Sequence, residues 1–158
     1  AKASNIKEML VVCTDFISYE RAIELKSKYE GIKIAFGFHP SDLYNFNEED
    51  YLRLEEIVKN KEIDVLGEIG LDYYWDNVSK EDQKVGFIRQ IEIANKYHMP
   101  ISIHMRDATK DTLDILKAFL PYQSFYSLHG ADFPLPVHQK LPVLLLLFYK
   151  SKTMQPPT

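Results

Sequence analysis

Short apolar runs alternate along the chain with segments in which apolar residues recur every three or four positions. The runs are typical of buried strands, and the longer spacing is typical of amphipathic helices. The apolar runs occupy residues 9–13, 32–36, 63–66, 101–103 and 125–128. Parallel neighbouring strands need a crossover helix between them, so the alternation predicts an α/β fold with about five strand–helix units. A complete eight-unit TIM barrel takes about 250 residues. This chain has 158 residues, so we predict an open sheet or part of a barrel.

Two of the segments between the runs carry signals for the start of a helix. Asn47 precedes three acidic residues, and Ser79 precedes Asp82 by three positions. Such side chains cap free N–H groups in the first helical turn, and acidic residues are favoured there by the helix dipole. The second of these helices is predicted to end before Pro100. Its predicted apolar stripe consists of Val85, Ile88, Ile91 and Asn95.

The pattern changes after residue 130. Five prolines interrupt residues 131–158, and no strand–helix unit can be drawn there. Residues 141–149 are apolar enough to form one buried strand, or to remain an exposed segment prone to aggregation. We therefore predict one partial TIM-barrel-like domain over residues 1–130 and an irregular C-terminal tail over 131–158 that is not a separate domain.

Charge and composition exclude several function classes. The chain has 19 basic and 23 acidic residues, a formal charge of -4, which excludes a polybasic protein that binds nucleic acid through bulk charge. The single cysteine, Cys13, cannot form an intramolecular disulfide, so a disulfide-stapled secreted scaffold is excluded. Residues 1–8 do not resemble a secretory leader, and the longest apolar run, 143–149, is too short to cross a bilayer. We expect a cytoplasmic protein with no membrane partner.

Carboxylate and imidazole side chains follow three successive predicted strands. Glu68 follows the third run, His104 the fourth and His129 the fifth. The carboxyl ends of parallel strands converge on one face of an α/β fold, where ligands and metals bind. Two neutral imidazoles and a carboxylate can hold zinc or a similar divalent ion and leave positions for water. The pattern therefore predicts a metal site, the alternative being three separate polar side chains that are hydrogen-bonded and inert.

Two motifs resemble those of a known family. The sequences Gly-Glu-Ile-Gly-Leu-Asp-Tyr-Tyr at 67–74 and Ile-His-Met-Arg-Asp-Ala at 103–108 are similar to motifs of the TatD family of metal-dependent deoxyribonucleases, and 11–15 and 35–40 are similar to its earlier strands. The resemblance covers residues 1 to about 130. It implies an amidohydrolase-like barrel whose divalent metal ion (zinc, manganese or magnesium) serves the cleavage of phosphodiester bonds in DNA.

The resemblance also implies metal-binding roles by position. Glu68 resembles the family's metal-bridging carboxylate, and His104 and His129 resemble two histidines that hold one metal ion. The residues that follow His129, Gly-Ala-Asp-Phe at 130–133, depart from the family's pattern.

Other residues of the family motifs line the same mouth of the barrel. The resemblance implies that His39, Asp72 and Arg106 contact the substrate there. The planar guanidinium of Arg106 is suited to a substrate phosphate. The alternative for Arg106 is a salt bridge to Asp107 or Glu68, which would bind no ligand.

Three aromatic residues follow the third predicted strand. Tyr73, Tyr74 and Trp75 can stack on bases or sugars, as aromatic side chains do on single strands. The alternative is that they pack against one another and against the fold.

Two features of the family are missing from the sequence. The family begins with a His-x-His pair on its first strand and carries its catalytic aspartate on a late strand, and neither is found here. The general base is therefore unknown, and we expect DNA cleavage by this incomplete chain to be weak or absent. A divalent ion polarises carbonyl and phosphoryl groups alike, so hydrolysis of a small ester or amide is an alternative. A non-catalytic, truncated or vestigial domain is another, and the oligomeric state stays open.

Overall fold

The computed structural model describes residues 6–120 and two further strands. Four strand–helix units follow one another along the chain, and none of the described helices has the length and apolarity needed to span a membrane. The elements are β1 (Met9–Cys13), α1 (Phe16–Lys28), β2 (Ile32–Phe36), a 3₁₀ helix (Pro40–Asn45), α2 (Glu48–Lys59), β3 (Val65–Asp72), α3 (Lys80–Tyr97), β4 (Ile101–Arg106), α4 (Thr109–Phe119), β5 (Tyr126–Leu128) and β6 (Leu145–Tyr149).

All six strands belong to one parallel sheet. Their order is β1-β2-β3-β4-β6-β5, so the first four strands are neighbours in chain order. The predicted α/β fold, with parallel strands and crossover helices, is confirmed. The predicted tail contributes β6, which pairs with β4. The predicted boundary at residue 130 and most of residues 131–158 lie outside the described residues, and both stay predictions.

Capping side chains begin the helices where the sequence places them. The Asn47 side chain accepts hydrogen bonds from the N–H groups of Glu49 and Asp50 at the start of α2. The Ser79 side chain accepts one from the N–H of Asp82 at the start of α3. Both predicted caps are confirmed. They satisfy N–H groups that have no partner within the helix.

The buried face of α3 differs from the predicted stripe. Val85 is 65% exposed, so the prediction is wrong at that position. The buried face instead includes Gln83 and Gln90, because their side chains form hydrogen bonds with the backbone beneath the helix. The buried residues of α3 are Gln83, Gly86, Phe87, Gln90, Ile91, Ile93 and Ala94.

The hydrophobic core fills the space between the sheet and the helices. Aromatic side chains are concentrated near the end of β2, where the Phe36 ring stacks on Tyr19 with centroids 4.9 Å apart. The Phe38 ring stacks on Phe46 at 3.8 Å. Phe36 and Phe38 are both fully buried, so the segment that leads out of β2 is held by packing on both sides.

Candidate metal centre

Three side chains that can bind a metal ion meet at the carboxyl ends of the strands. His39 follows β2, Asp72 ends β3 and His104 lies in β4. One ligand atom from each residue lies within 4.8 Å of the others. Two imidazoles and one carboxylate form a donor set that suits a divalent ion such as zinc. The residues present therefore fit the metal ion that the sequence motifs imply.

The Asp72 carboxylate holds His104 in place. Its Oδ2 atom lies 2.8 Å from Nε2 of His104, and its Oδ1 atom accepts a hydrogen bond from the Tyr74 N–H at 3.0 Å. Asp72 is buried, so both oxygens use protein partners in place of water. A carboxylate paired with an imidazole in this way fixes the orientation of the ring.

The second imidazole is fixed by the backbone beyond it. Nδ1 of His39 accepts a hydrogen bond from the Ser41 N–H at 3.2 Å, which leaves Nε2 as the nitrogen for a ligand. The rings of His39 and His104 meet edge to face with centroids 4.4 Å apart. Burial, reinforced by the nearby His104, lowers the pKa of His39 to about 4. The His39 ring is therefore neutral at pH 7, and the neutral form is the one that binds metal.

The predicted metal set of Glu68, His104 and His129 is placed only in part. His104 belongs to the group that the structure brings together, whereas Glu68 is not among the residues whose ligand atoms lie within 4.8 Å. Glu68 is half-buried on β3, and burial raises its carboxyl pKa while His104 acts in the opposite direction. His129 lies outside the described residues. The three-residue set stays a prediction.

Two buried glutamines of α3 hold the strand ends that carry the site. Oε1 of Gln90 accepts a hydrogen bond from the Phe38 N–H at 2.8 Å, and Nε2 donates to the Phe38 carbonyl at 3.1 Å. Gln83 bonds in the same way to the N–H and carbonyl of Asp72, at 2.8 and 2.9 Å. Each glutamine amide therefore makes the two backbone hydrogen bonds that a neighbouring strand would otherwise make. Gln90 does so at Phe38, next to His39, and Gln83 does so at Asp72. Sequence reasoning missed both; their seven-residue spacing on one helix face was the available signal.

A glycine lets β3 approach β4 beside His104. Gly70 has φ +143°, a backbone conformation that residues with a Cβ rarely adopt. A Cβ atom built there would overlap the carbonyl oxygen of His104. The close approach sets the register in which Gly70 faces His104 and Asp72 faces Arg106.

Arg106 rests on aromatic rings at the rim of the site. Its guanidinium carbon lies 3.5 Å from the centre of the Tyr74 ring and 5.8 Å from that of Trp75. Among the described residues, no carboxylate oxygen lies within 4.0 Å of its guanidinium nitrogens. The alternative, a salt bridge from Arg106 to Asp107 or Glu68, is therefore not found among the described residues. The role of Arg106 in substrate binding stays a prediction.

Tyr73 faces a different set of partners. Its hydroxyl donates a hydrogen bond to Asp111 at 2.8 Å, and the Lys80 ammonium lies 4.7 Å from the centre of its ring. Its ring also packs against the core. These contacts join β3 to α3 and α4, and the predicted contact of Tyr73 with substrate stays a prediction.

Comparison with known proteins places the chain in a family. Residues 1–141 match the family described as TatD related DNase. The chain belongs to the TatD family. It is 40% identical over 117 residues to the uncharacterized metal-dependent hydrolase YabD of Bacillus subtilis, covering 74% of this chain and 46% of that protein. It is 29% identical over 120 residues to the 3'-5' ssDNA/RNA exonuclease TatD of Cronobacter sakazakii, with 76% and 46% covered.

Solved structures of TatD proteins share the fold. The TatD homolog YJJV of Escherichia coli superposes with a TM-score of 0.72 at 23% identity, over 82% of this chain and 51% of that one. A TatD-family hydrolase from Entamoeba histolytica gives 0.67 at 26% identity, over 80% and 45%. The resemblance stated from the sequence is confirmed, and the α/β fold is part of a TatD barrel. The chain spans about half the length of the curated relatives it matches.

Proposed function

We propose that this chain carries part of the active site of a metal-dependent hydrolase that cleaves phosphodiester bonds in DNA, with single-stranded DNA as the substrate. The observation that carries the proposal is the meeting of His39, Asp72 and His104 at the carboxyl ends of three strands. Membership of the TatD family supports it, as does the name of the Cronobacter relative, a 3'-5' ssDNA/RNA exonuclease. The predicted weak turnover of the chain alone stays a prediction.

The described residues offer a divalent ion its ligands. His39 and His104 supply imidazole nitrogens, and the carboxylates of Asp72 and the nearby Glu68 supply negative charge. A bound divalent ion lowers the pKa of its water and polarises a phosphoryl oxygen. His129 is proposed as a further ligand on the resemblance of its motif.

The protein groups around that position have separate tasks. Oδ1 of Asp72 accepts a hydrogen bond from the Tyr74 N–H, and Oδ2 contacts Nε2 of His104, so Asp72 orients that imidazole. Arg106 presents its N–H groups at the rim, where they suit the non-bridging oxygens of a phosphodiester. The burial of His39 keeps its ring neutral at the pH of the reaction.

Metal binding tests the proposal directly. Isothermal titration calorimetry with zinc and with manganese measures the metal affinity of the wild-type chain and of the variants His104→Asn and Glu68→Ala. We expect both variants to bind metal more weakly. The matched control is His98→Asn: His98 is exposed and ends α3 with φ +53°, a conformation that asparagine tolerates. Equal binding by the wild type and His104→Asn would contradict the site.

Substrate class requires a second assay. A labelled single-stranded oligonucleotide and a panel of small esters are incubated with the chain and manganese. We expect any turnover by this chain to be weak, to act on the oligonucleotide and to be lowered by His104→Asn. Cleavage of the esters alone would contradict the nuclease assignment, because a divalent ion can polarise either group.

A further inference from the structure

Two large aromatic side chains remain exposed beside the candidate metal centre. Tyr74 is 51% and Trp75 is 54% exposed, although both lie directly after β3. Their rings meet edge to face at 88° with centroids 4.8 Å apart. Burying these rings in the core would have stabilised the fold more than leaving them in water. About half of each side chain is therefore open to solvent.

A cation lies against the same rings. The Arg106 guanidinium carbon is 3.5 Å from the centre of the Tyr74 ring, a distance at which a cation is attracted to an aromatic face. This contact uses no N–H donor of the guanidinium. The N–H donors of the guanidinium lie in one plane, in an arrangement that can bind a phosphate through two parallel hydrogen bonds. We call Tyr74, Trp75 and Arg106 the aromatic–arginine patch.

The patch is joined to the candidate metal centre through hydrogen bonds and the sheet. The Tyr74 N–H donates to Asp72, whose other oxygen contacts His104. Arg106 pairs in register with Asp72 and lies two residues after His104 on β4. Residues two apart on a strand face the same side of the sheet. A chain-like ligand bound at the centre would therefore continue over the patch.

We propose that the aromatic–arginine patch binds one nucleotide of a single-stranded nucleic acid next to the bond that is cleaved. Arg106 binds the phosphate, and the base stacks on the Trp75 ring, since the guanidinium already lies over Tyr74. The inference rests on the proposed nuclease function and adds a binding subsite to it. A single strand fits because its bases are unstacked and every base offers a flat face, so that stacking is tolerant of sequence. The chain's formal charge of -4 gives no bulk attraction for nucleic acid, so a local site must supply the contacts.

The test uses Trp75 as an internal probe, because it is the single tryptophan of the chain. The full chain is titrated in EDTA with a short oligothymidylate, and with an abasic oligonucleotide of equal length, while tryptophan fluorescence is followed. We expect saturable quenching by oligothymidylate and weaker binding of the abasic strand. Equal affinity and equal quenching for the two ligands would overturn the stacking role.

Variants separate stacking from charge. Fluorescence anisotropy of a labelled oligothymidylate is measured with Trp75→Ala, Trp75→Phe and Arg106→Gln. We expect the alanine variant to bind about tenfold more weakly and the phenylalanine variant to keep most of the affinity. Arg106→Gln is expected to weaken binding and to reduce the slope of log affinity against log salt by about 1.

Tyr29→Ala is the matched control, since Tyr29 is 59% exposed but lies after α1, away from the strand ends that carry the site. It should bind like the wild type, and circular dichroism should show that every variant is folded. Unchanged affinity in both Trp75→Ala and Arg106→Gln would overturn the subsite, as would the absence of binding by the wild type. Because these measurements are made without metal, they fail or succeed independently of the metal titration that tests the proposed function.

Discussion

Replacing Gln90 by methionine is expected to weaken both the fold and the site. Gln90 is completely buried, and its amide bonds to the N–H and the carbonyl of Phe38, one residue before His39. Methionine keeps an unbranched side chain of similar length and adapts to irregular space. The variant Gln90→Met therefore removes the hydrogen bonds while leaving most of the packing intact.

The cost follows from the two backbone groups that lose their partner. A buried N–H or carbonyl left without a hydrogen bond costs about 1–3 kcal/mol. Two such groups at Phe38 would cost about 2–6 kcal/mol, and partial relaxation of the segment brings the expected loss to about 3 kcal/mol. For a domain of this size, 1 kcal/mol lowers Tm by about 2–4 °C. We therefore expect Tm to fall by about 6–12 °C.

Thermal and urea unfolding, followed by circular dichroism, measure the loss of stability. Zinc titration at a temperature where the variant is folded measures the metal affinity of the site. Zinc affinity should fall, because the Phe38 backbone positions His39. Glu92→Met is the control, since Glu92 is an exposed residue of the same helix. If Gln90→Met were as stable as Glu92→Met and bound zinc like the wild type, the positioning role of the glutamine would be refuted.

Three further substitutions test other contacts. Asp72→Asn alters both a member of the donor set and the partner of His104, and it should lower zinc affinity about 10–100-fold by calorimetry. An unchanged affinity would contradict both roles of Asp72. Gly70→Ala places a Cβ against the His104 backbone at φ +143° and should cost about 2 kcal/mol or more in urea unfolding, so a neutral effect would contradict the close approach. Although burial opposes its ionisation, hydrogen bonds, above all from Lys26, hold the pKa of Asp64 below its usual value. This stabilisation is complete above about pH 4 and is lost as pH falls through the lowered pKa. Asp64→Asn should therefore lower the free energy of unfolding by about 1 kcal/mol at pH 7. In urea unfolding measured over a pH series, the variant should match the wild type at the acid end.

The order of strands and helices could be predicted because it depends on local patterns. The apolar runs at 9–13 and 32–36 became β1 and β2 without change. The run at 63–66 became Val65–Asp72, a longer strand, because the glycines and polar residues of its motif still pair with β4. Apolar periodicity does not detect a strand end that is held by hydrogen bonds and carries polar side chains.

The site could be predicted only as a region of the fold. Converging strand ends put His39, Asp72 and His104 at one face, but which donors lie within reach of one another depends on the twist of the sheet and on rotamers. The pairing of Asp72 with His104 requires the register of β3 against β4, which sequence spacing does not determine. The buried faces of α3 were also missed at Val85, because periodicity counts apolar residues and the helix buries glutamines.

The seven-residue separation of Gln83 and Gln90 limits how α3 can change in length. Seven residues make almost two helical turns, so both amides face the strand ends. Insertion of a single residue between them would rotate one amide about 100° around the helix axis and shift it about 1.5 Å along it. Either the backbone before His39 or that of Asp72 would then lose its partner. Insertions and deletions are therefore expected in the surface loops of this domain and not between these two positions of α3.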